Sequence, residues 1–187
     1  MIKTTTRFAA ALALTLAFLS FPGCSTNGQG DDAAPLYLTV EFGAVPTVKN
    51  VADGASLEFS TVTIKSVMKN PAATTSTMLD VRVDDYVVVW TRIDGGTKAP
   101  KSETFGGSTI IPVGSAITLP TSQFMSVSAL SLSPFDQLFP FNGGIDRETG
   151  RSEIRLAATV TFRGHTISGQ PVQGTGGFGM TFVYQAL

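Results

Sequence analysis

Cysteine occurs once, at Cys24, and histidine once, at His165. A lone cysteine excludes an intramolecular disulfide framework and any multi-cysteine metal site. A lone histidine excludes a two-histidine zinc centre and leaves His165 as the one imidazole open to a Ser-His-Asp arrangement. Its neighbours Gly164 and Thr166 place it in an expected exposed hairpin turn. Charge is sparse, with thirteen basic and fourteen acidic side chains in 187 residues, and the cations are scattered. Nucleic-acid binding needs clustered Lys and Arg to displace counterions, so no nucleic-acid partner is expected. The longest N-terminal apolar run, Phe8 to Leu19, falls short of the roughly twenty residues that cross a bilayer core.

Motifs for chemistry are also missing. Gly106-Gly107-Ser108 misses the spacing of a Gly-x-Ser-x-Gly nucleophile elbow. Gly174-Thr175-Gly176-Gly177-Phe178-Gly179 lacks the Lys and Ser or Thr that close a phosphate loop, and reads as a turn or a close backbone approach in a sheet. Asp84, Asp85, Asp94, Asp146 and Glu148 supply oxygen ligands near turns, but no Asp-x-Asp-x-Asp calcium loop, and they read as solvated turn acids. No catalytic residue, metal ligand or cofactor site is therefore expected, and the chain is not read as an enzyme.

What is present begins at the N-terminus. Lys3 and Arg7 form a positive segment, Phe8 to Leu19 an apolar one, and Phe21-Pro22-Gly23-Cys24 a boundary, the three parts of an export signal. Gly23-Cys24 resembles the lipobox of bacterial lipoproteins, in which the cysteine is acylated and becomes the new N-terminus. Phe21 and Pro22 stand where that family carries Leu and a small residue. The resemblance implies a cleaved signal at residues 1–23, lipidation at Cys24 and anchoring in a membrane by acyl chains worth about 0.8 kcal/mol per buried methylene. Ser25, rather than Asp, after the cysteine implies sorting toward the outer membrane. An ordinary secretory signal cut nearby is the alternative. Losing Lys3 and Arg7 leaves eleven basic against fourteen acidic residues, a net charge of −3.

Residues 24–35 are rich in Ser, Asn, Gly, Gln and Asp and read as a lipidated flexible tether, which reaches at most about 35 to 40 Å when extended. Residues 36–187 read as one β domain. Leu36, Leu38, Val40 and Phe42 alternate with polar residues as a half-buried strand does. Leu57 and Phe59 continue into Val62 and Ile64 in the opposite phase, which predicts a β-bulge between them. Leu79 to Ile93 is the strongest strand, with Tyr86 to Trp90 apolar on both faces and a bend or break at Asp84-Asp85. Residues 97–108 read as a polar connection. The stretches 110–119 and 124–132 are β-type, placed at sheet edges by Pro112 and Pro120. Ile154 to Phe162 and Phe178 to Tyr184 alternate cleanly. Seven to nine strands without helical period predict an antiparallel β-sandwich.

Tyr86 through Gly96, and Thr159 through Gly164 with Gly169, resemble immunoglobulin-like sandwich domains of bacterial envelope lipoproteins. The resemblance implies an immunoglobulin-like fold, although no cysteine flanks Trp90 to make the antibody pattern.

Two aromatic groups are candidates for contact. Phe135, Leu138, Phe139 and Phe141 form either a partner surface, for example for an envelope protein, or a lid over one end of the sandwich. Ser133-Pro134 before Asp136 predicts a helix start there, with Ser133 as cap. Trp90 and Tyr86 are either a sugar-stacking platform or core. The expectation is thus a lipid-anchored envelope protein with a non-catalytic binding or structural role. Its alternative is a carbohydrate- or peptide-binding accessory module of an export or surface system.

Overall fold

A computed structural model describes residues 34–186. The expected signal at 1–23, Cys24 and the expected tether up to residue 33 lie outside the described residues. Strand makes up 49% and helix 9% of what is described, so the fold is all-β.

The strands in chain order are β1 (Leu36–Phe42), β2 (Val48–Asn50), β3 (Leu57–Phe59), β4 (Val62–Met68), β5 (Val81–Arg92), β6 (Glu103–Ile111), β7 (Ala116–Thr118), β8 (Ser122–Met125), β9 (Glu153–Thr166) and β10 (Pro171–Val183). One helical turn, α1 (Val127–Leu130), and short 3-10 turns at Thr77–Leu79, Phe135–Leu138 and Pro140–Asn142 complete the elements. A five-stranded sheet runs β2-β10-β9-β5-β6, a three-stranded one β1-β4-β7, and a two-stranded one β3-β8. All pairings are antiparallel except the short β2, which lies parallel to β10. Together the sheets curl into a half-barrel.

The long strands follow from their sequence periods. In β9, Ile154, Leu156, Ala158, Val160 and Phe162 are all buried, as their alternation requires. In β5 the parity changes midway. Val81 and Val83 point inward, then Tyr86, Val88 and Trp90 do, because the ladder slips between Val83 and Asp85. Asp84-Asp85 is therefore a bulge in one continuous strand and not a break. The bulge explains the run of valines: Val89 faces outward at 45% exposure, so β5 is central in hydrogen bonding but not apolar-covered on both faces.

At Ser60-Thr61 the expected bulge is instead a strand end. β3 pairs with β8, whereas β4 pairs with β1 and β7, and both phases bury their apolar residues because they belong to different sheets. The segment at 97–108 is not polar connection throughout: its second half is β6, whose Gly106 and Gly107 masked the strand period. Pro112 and Pro120 bound β6, β7 and β8 as expected.

β1 packs across β10 on bare backbone. A Cβ at Gly174 would stand 2.5 Å from the Leu38 Cβ and carbonyl oxygen, and one at Gly176 2.9 Å from the Val40 carbonyl oxygen. The glycine run is thus a close backbone approach and not a turn, a furrow inside β10 that seats β1. Beside it the sheets share an aromatic core. Phe59 stacks on Phe124 at 4.2 Å, Phe42 and Phe178 meet both rings, and Trp90 sits edge-on to Phe178 and Phe182.

Candidate functional site

The Phe-rich segment divides. Phe135 is fully buried with its ring 4.6 Å from Phe182, Leu138 is buried beside it, and Phe139 is half-buried against Tyr184. These three form a lid on the core. Only Phe141, 82% exposed, remains open to a partner. Ser133 does not cap the turn; the Ser133-Pro134 peptide is cis and Pro134 takes the cap position, with Asp136 in the first turn as expected.

Trp90 and Tyr86 are core residues, with 4% and 6% of their surface exposed, and so form no stacking platform. The Trp90 indole N–H is buried without an acceptor, and the Tyr86 hydroxyl donates to the Gln123 carbonyl at 2.8 Å. Burial pushes the Tyr86 phenol up from its ordinary value.

His165 lies in β9 and not in the turn, which is formed by Ile167 to Gln170. Its Nδ1 is 2.8 Å from Asp84 Oδ2, and since a carboxylate only accepts, Nδ1 carries the proton. Asp84 is presented by the β5 bulge, and Asp85 beside it accepts from Arg163 at 2.7 Å. Both pairs lie on the outer sheet face, half exposed, where ion pairs contribute little.

At the other end Glu148 is an exposed turn acid as expected, but Asp94 and Asp146 are not solvated. Arg92, at the end of β5, has 2% of its side chain exposed, Asp94 1% and Asp146 none. Arg92 grips Asp94 with two nitrogens, at 2.7 and 2.9 Å, and reaches Asp146 at 2.7 Å. Asp94 further accepts from the amides of Gly96 and Arg155, and Asp146 from Thr149. Glu148 accepts from the amides of Thr97 and Lys98. Gly96 is required here, because a Cβ would lie 2.4 Å from the Arg92 guanidinium. Burial pushes the Asp94 carboxyl up, but Arg92 and the two amides outweigh it and hold it at about 2. Asp146 is likewise lowered by Arg92 and Thr149 against its burial, and Glu148 by the Lys98 and Thr97 amides. Among the described residues no group of three or more acids, His or Cys is disposed to hold a metal, and these carboxylates surround a guanidinium instead. The cluster staples the β5–β6 loop to the 146–150 turn.

One recess combines open space with unspent hydrogen-bonding groups. β6 is the outer strand of the five-stranded sheet, and β8 approaches it across a wedge. The wedge is pinned where the Ser126 amide donates to the Glu103 carboxylate at 3.0 Å, and it widens toward Gly107 and Leu119 into a cleft of about 440 Å³. That is the size range of small-ligand sites. Phe105, Tyr86, Val83 and Phe162 form its apolar floor; Ser108, Thr109 and Thr121 supply hydroxyls and Gln123 an amide, while the Ser122 hydroxyl donates to the Pro120 carbonyl at 3.1 Å. Tyr86 is the sole ionisable side chain in its wall, and its proton is already committed to Gln123. Gly107 sits on the inward face of β6 without positive φ, so its missing side chain is what leaves the space open. Gly106-Gly107-Ser108 is no nucleophile elbow; two glycines inside a stretch flanked by Thr104-Phe105 and Thr109-Ile110 are the sequence signal of this bared strand.

No protein-family model, curated protein or solved structure matches this chain.

Proposed function

We propose that this chain is a lipid-anchored protein of the bacterial cell envelope, sorted toward the outer membrane, with a non-catalytic binding role. Its signal is residues 1–23, its lipidated tether 24–35, and its working part an immunoglobulin-like β-sandwich from residue 36. The anchor rests on one observation: the chain's single cysteine stands where a positive segment and a short apolar run end. The carbohydrate- or peptide-binding alternative, an accessory module of an export or surface system, names ligand classes for the same architecture. The uncharged cleft between β6 and β8 favours it, since its wall offers hydroxyls, an amide and ring faces.

Growing cells with an alkyne-bearing palmitate and fractionating them tests the anchor. Wild type takes up the label and sediments with membranes, while Cys24→Ala is unlabelled and leaves the membrane fraction. Equal sedimentation of an unlabelled wild type and Cys24→Ala disproves the anchor.

A further inference from the structure

We infer that the cleft between β6 and β8 receives an extended, uncharged peptide segment that adds to β6 as a further strand. The inference deepens the binding reading above and is independent of the lipid anchor.

Four observations carry it. First, β6 pairs with β5 along one edge only, and no backbone group of Glu103–Ile111 has a hydrogen-bond partner on its other edge among the described residues. A nine-residue edge of unpaired amides and carbonyls is a template for another strand. Second, the cleft lies along this edge, from Phe105 to Thr109, a stretch of about 13 Å at the usual rise per residue. Third, the opposite wall is also strand backbone. β8 pairs only with β3, so a guest strand would lie between two edges and extend the half-barrel toward closure. Fourth, the wall has no charged side chain, and Gly106 and Gly107 bare the backbone where a guest must approach.

The guest's character follows from β6 itself. Its inward residues Phe105, Gly107 and Ile111 alternate with outward Thr104, Ser108 and Ile110. A neighbour in the same sheet faces the apolar floor with every second residue, so the occupant alternates apolar with uncharged polar residues over five or so positions. Charged side chains on its inner face would be desolvated without a partner.

Two positions of β6 provide the test. A Cβ at Gly107 points inward, 3.4 Å from Val83 Cγ1, whereas Thr104 lies on the exposed face and outside the cleft wall. Gly107→Val therefore fills the cleft, and Thr104→Val places the same side chain on β6 outside it. The full chain in detergent is titrated against a fluorescein-labelled, end-blocked heptapeptide of alternating Thr and Val, with anisotropy as readout. The same titration uses the peptide N-methylated at alternate residues, and unlabelled maltohexaose as competitor. The expected result is saturable binding, weakened about tenfold or more by N-methylation and by Gly107→Val, but not by Thr104→Val, since one or two lost hydrogen bonds suffice for such a change. Unfolding midpoints show that both variants are folded; if Gly107→Val is not, Gly107→Ala replaces it. Absence of peptide binding, or binding indifferent to N-methylation, overturns the inference. So does self-association of the chain through β6 that Gly107→Val abolishes. Binding of maltohexaose alone, read by titration calorimetry and lost in Gly107→Val, also overturns it while leaving the cleft a binding site.

Discussion

Arg92 and Asp146 are 54 residues apart in sequence, yet their side chains meet at 2.7 Å with neither in contact with solvent to more than 2%. Removing the guanidinium leaves Asp94 and Asp146 buried without a counter-charge. Arg92→Ala is expected to cost about 3 to 5 kcal/mol of stability. Arg163→Ala, at an exposed pair, leaves the urea midpoint close to wild type. Equal midpoints for the two variants would show that the buried cluster is not structural.

Acid acts on the same cluster. Asp94, held at about 2, and Asp146 and Glu148, both lowered, bind protons more weakly folded than unfolded. Between the ordinary carboxylate range of about 4 and that lower value, the unfolded chain holds more protons, so stability falls as pH falls. The stabilisation is fully present above about pH 5 and is lost progressively toward pH 2. Urea midpoints measured from pH 7 to pH 2 should trace this limb, and Asp94→Asn should flatten it. An unchanged limb in Asp94→Asn contradicts the assignment.

This cluster separates what is legible in the sequence from what is not. Alternation is local, so β1, β9 and the end of β10 could be placed from Leu36, Ile154 or Phe182 and their second neighbours. The fate of Asp146 depended on Arg92, and the cleft on the meeting of Gly107 with Leu119; neither relation leaves a periodic trace. Parity told that Phe59 and Val62 disagree, but not that each answers to a different sheet. Phe135 and Phe141 differ by six positions and are chemically alike, and only the chain's path over Phe182 makes one core and the other surface.

Those two phenylalanines give a direct comparison. Phe135→Ala opens a cavity in the core and is expected to cost about 3 to 5 kcal/mol. Phe141→Ala removes an exposed ring and should change stability by less than about 0.5 kcal/mol. Thermal melting of the purified variants separates the outcomes, and comparable losses would mean that Phe141 also packs.

The glycines of β10 can be ranked in the same way. Gly174→Ala drives a Cβ to 2.5 Å from Leu38 and should destabilise by about 1 to 3 kcal/mol or more. At Gly179 the nearest atom is the Leu156 carbonyl oxygen at 3.9 Å. Gly179→Ala should therefore raise stability slightly, by about 0.4 to 1 kcal/mol, through the unfolded chain. Matching denaturant midpoints for these two variants would remove the case for a backbone furrow.

The furrow also sets an order of events. β1 is the first described strand to leave the ribosome, but the bed that it packs into, at Gly174 and Gly176, lies in the last described one. Pairing with β4 can begin early, whereas seating on β10 has to wait for contacts separated by well over a hundred residues. The domain therefore closes only after β10 has been made, and until then it stays a threadable chain. For the export proposed above, that delay is the state in which a polypeptide can still be passed through a membrane.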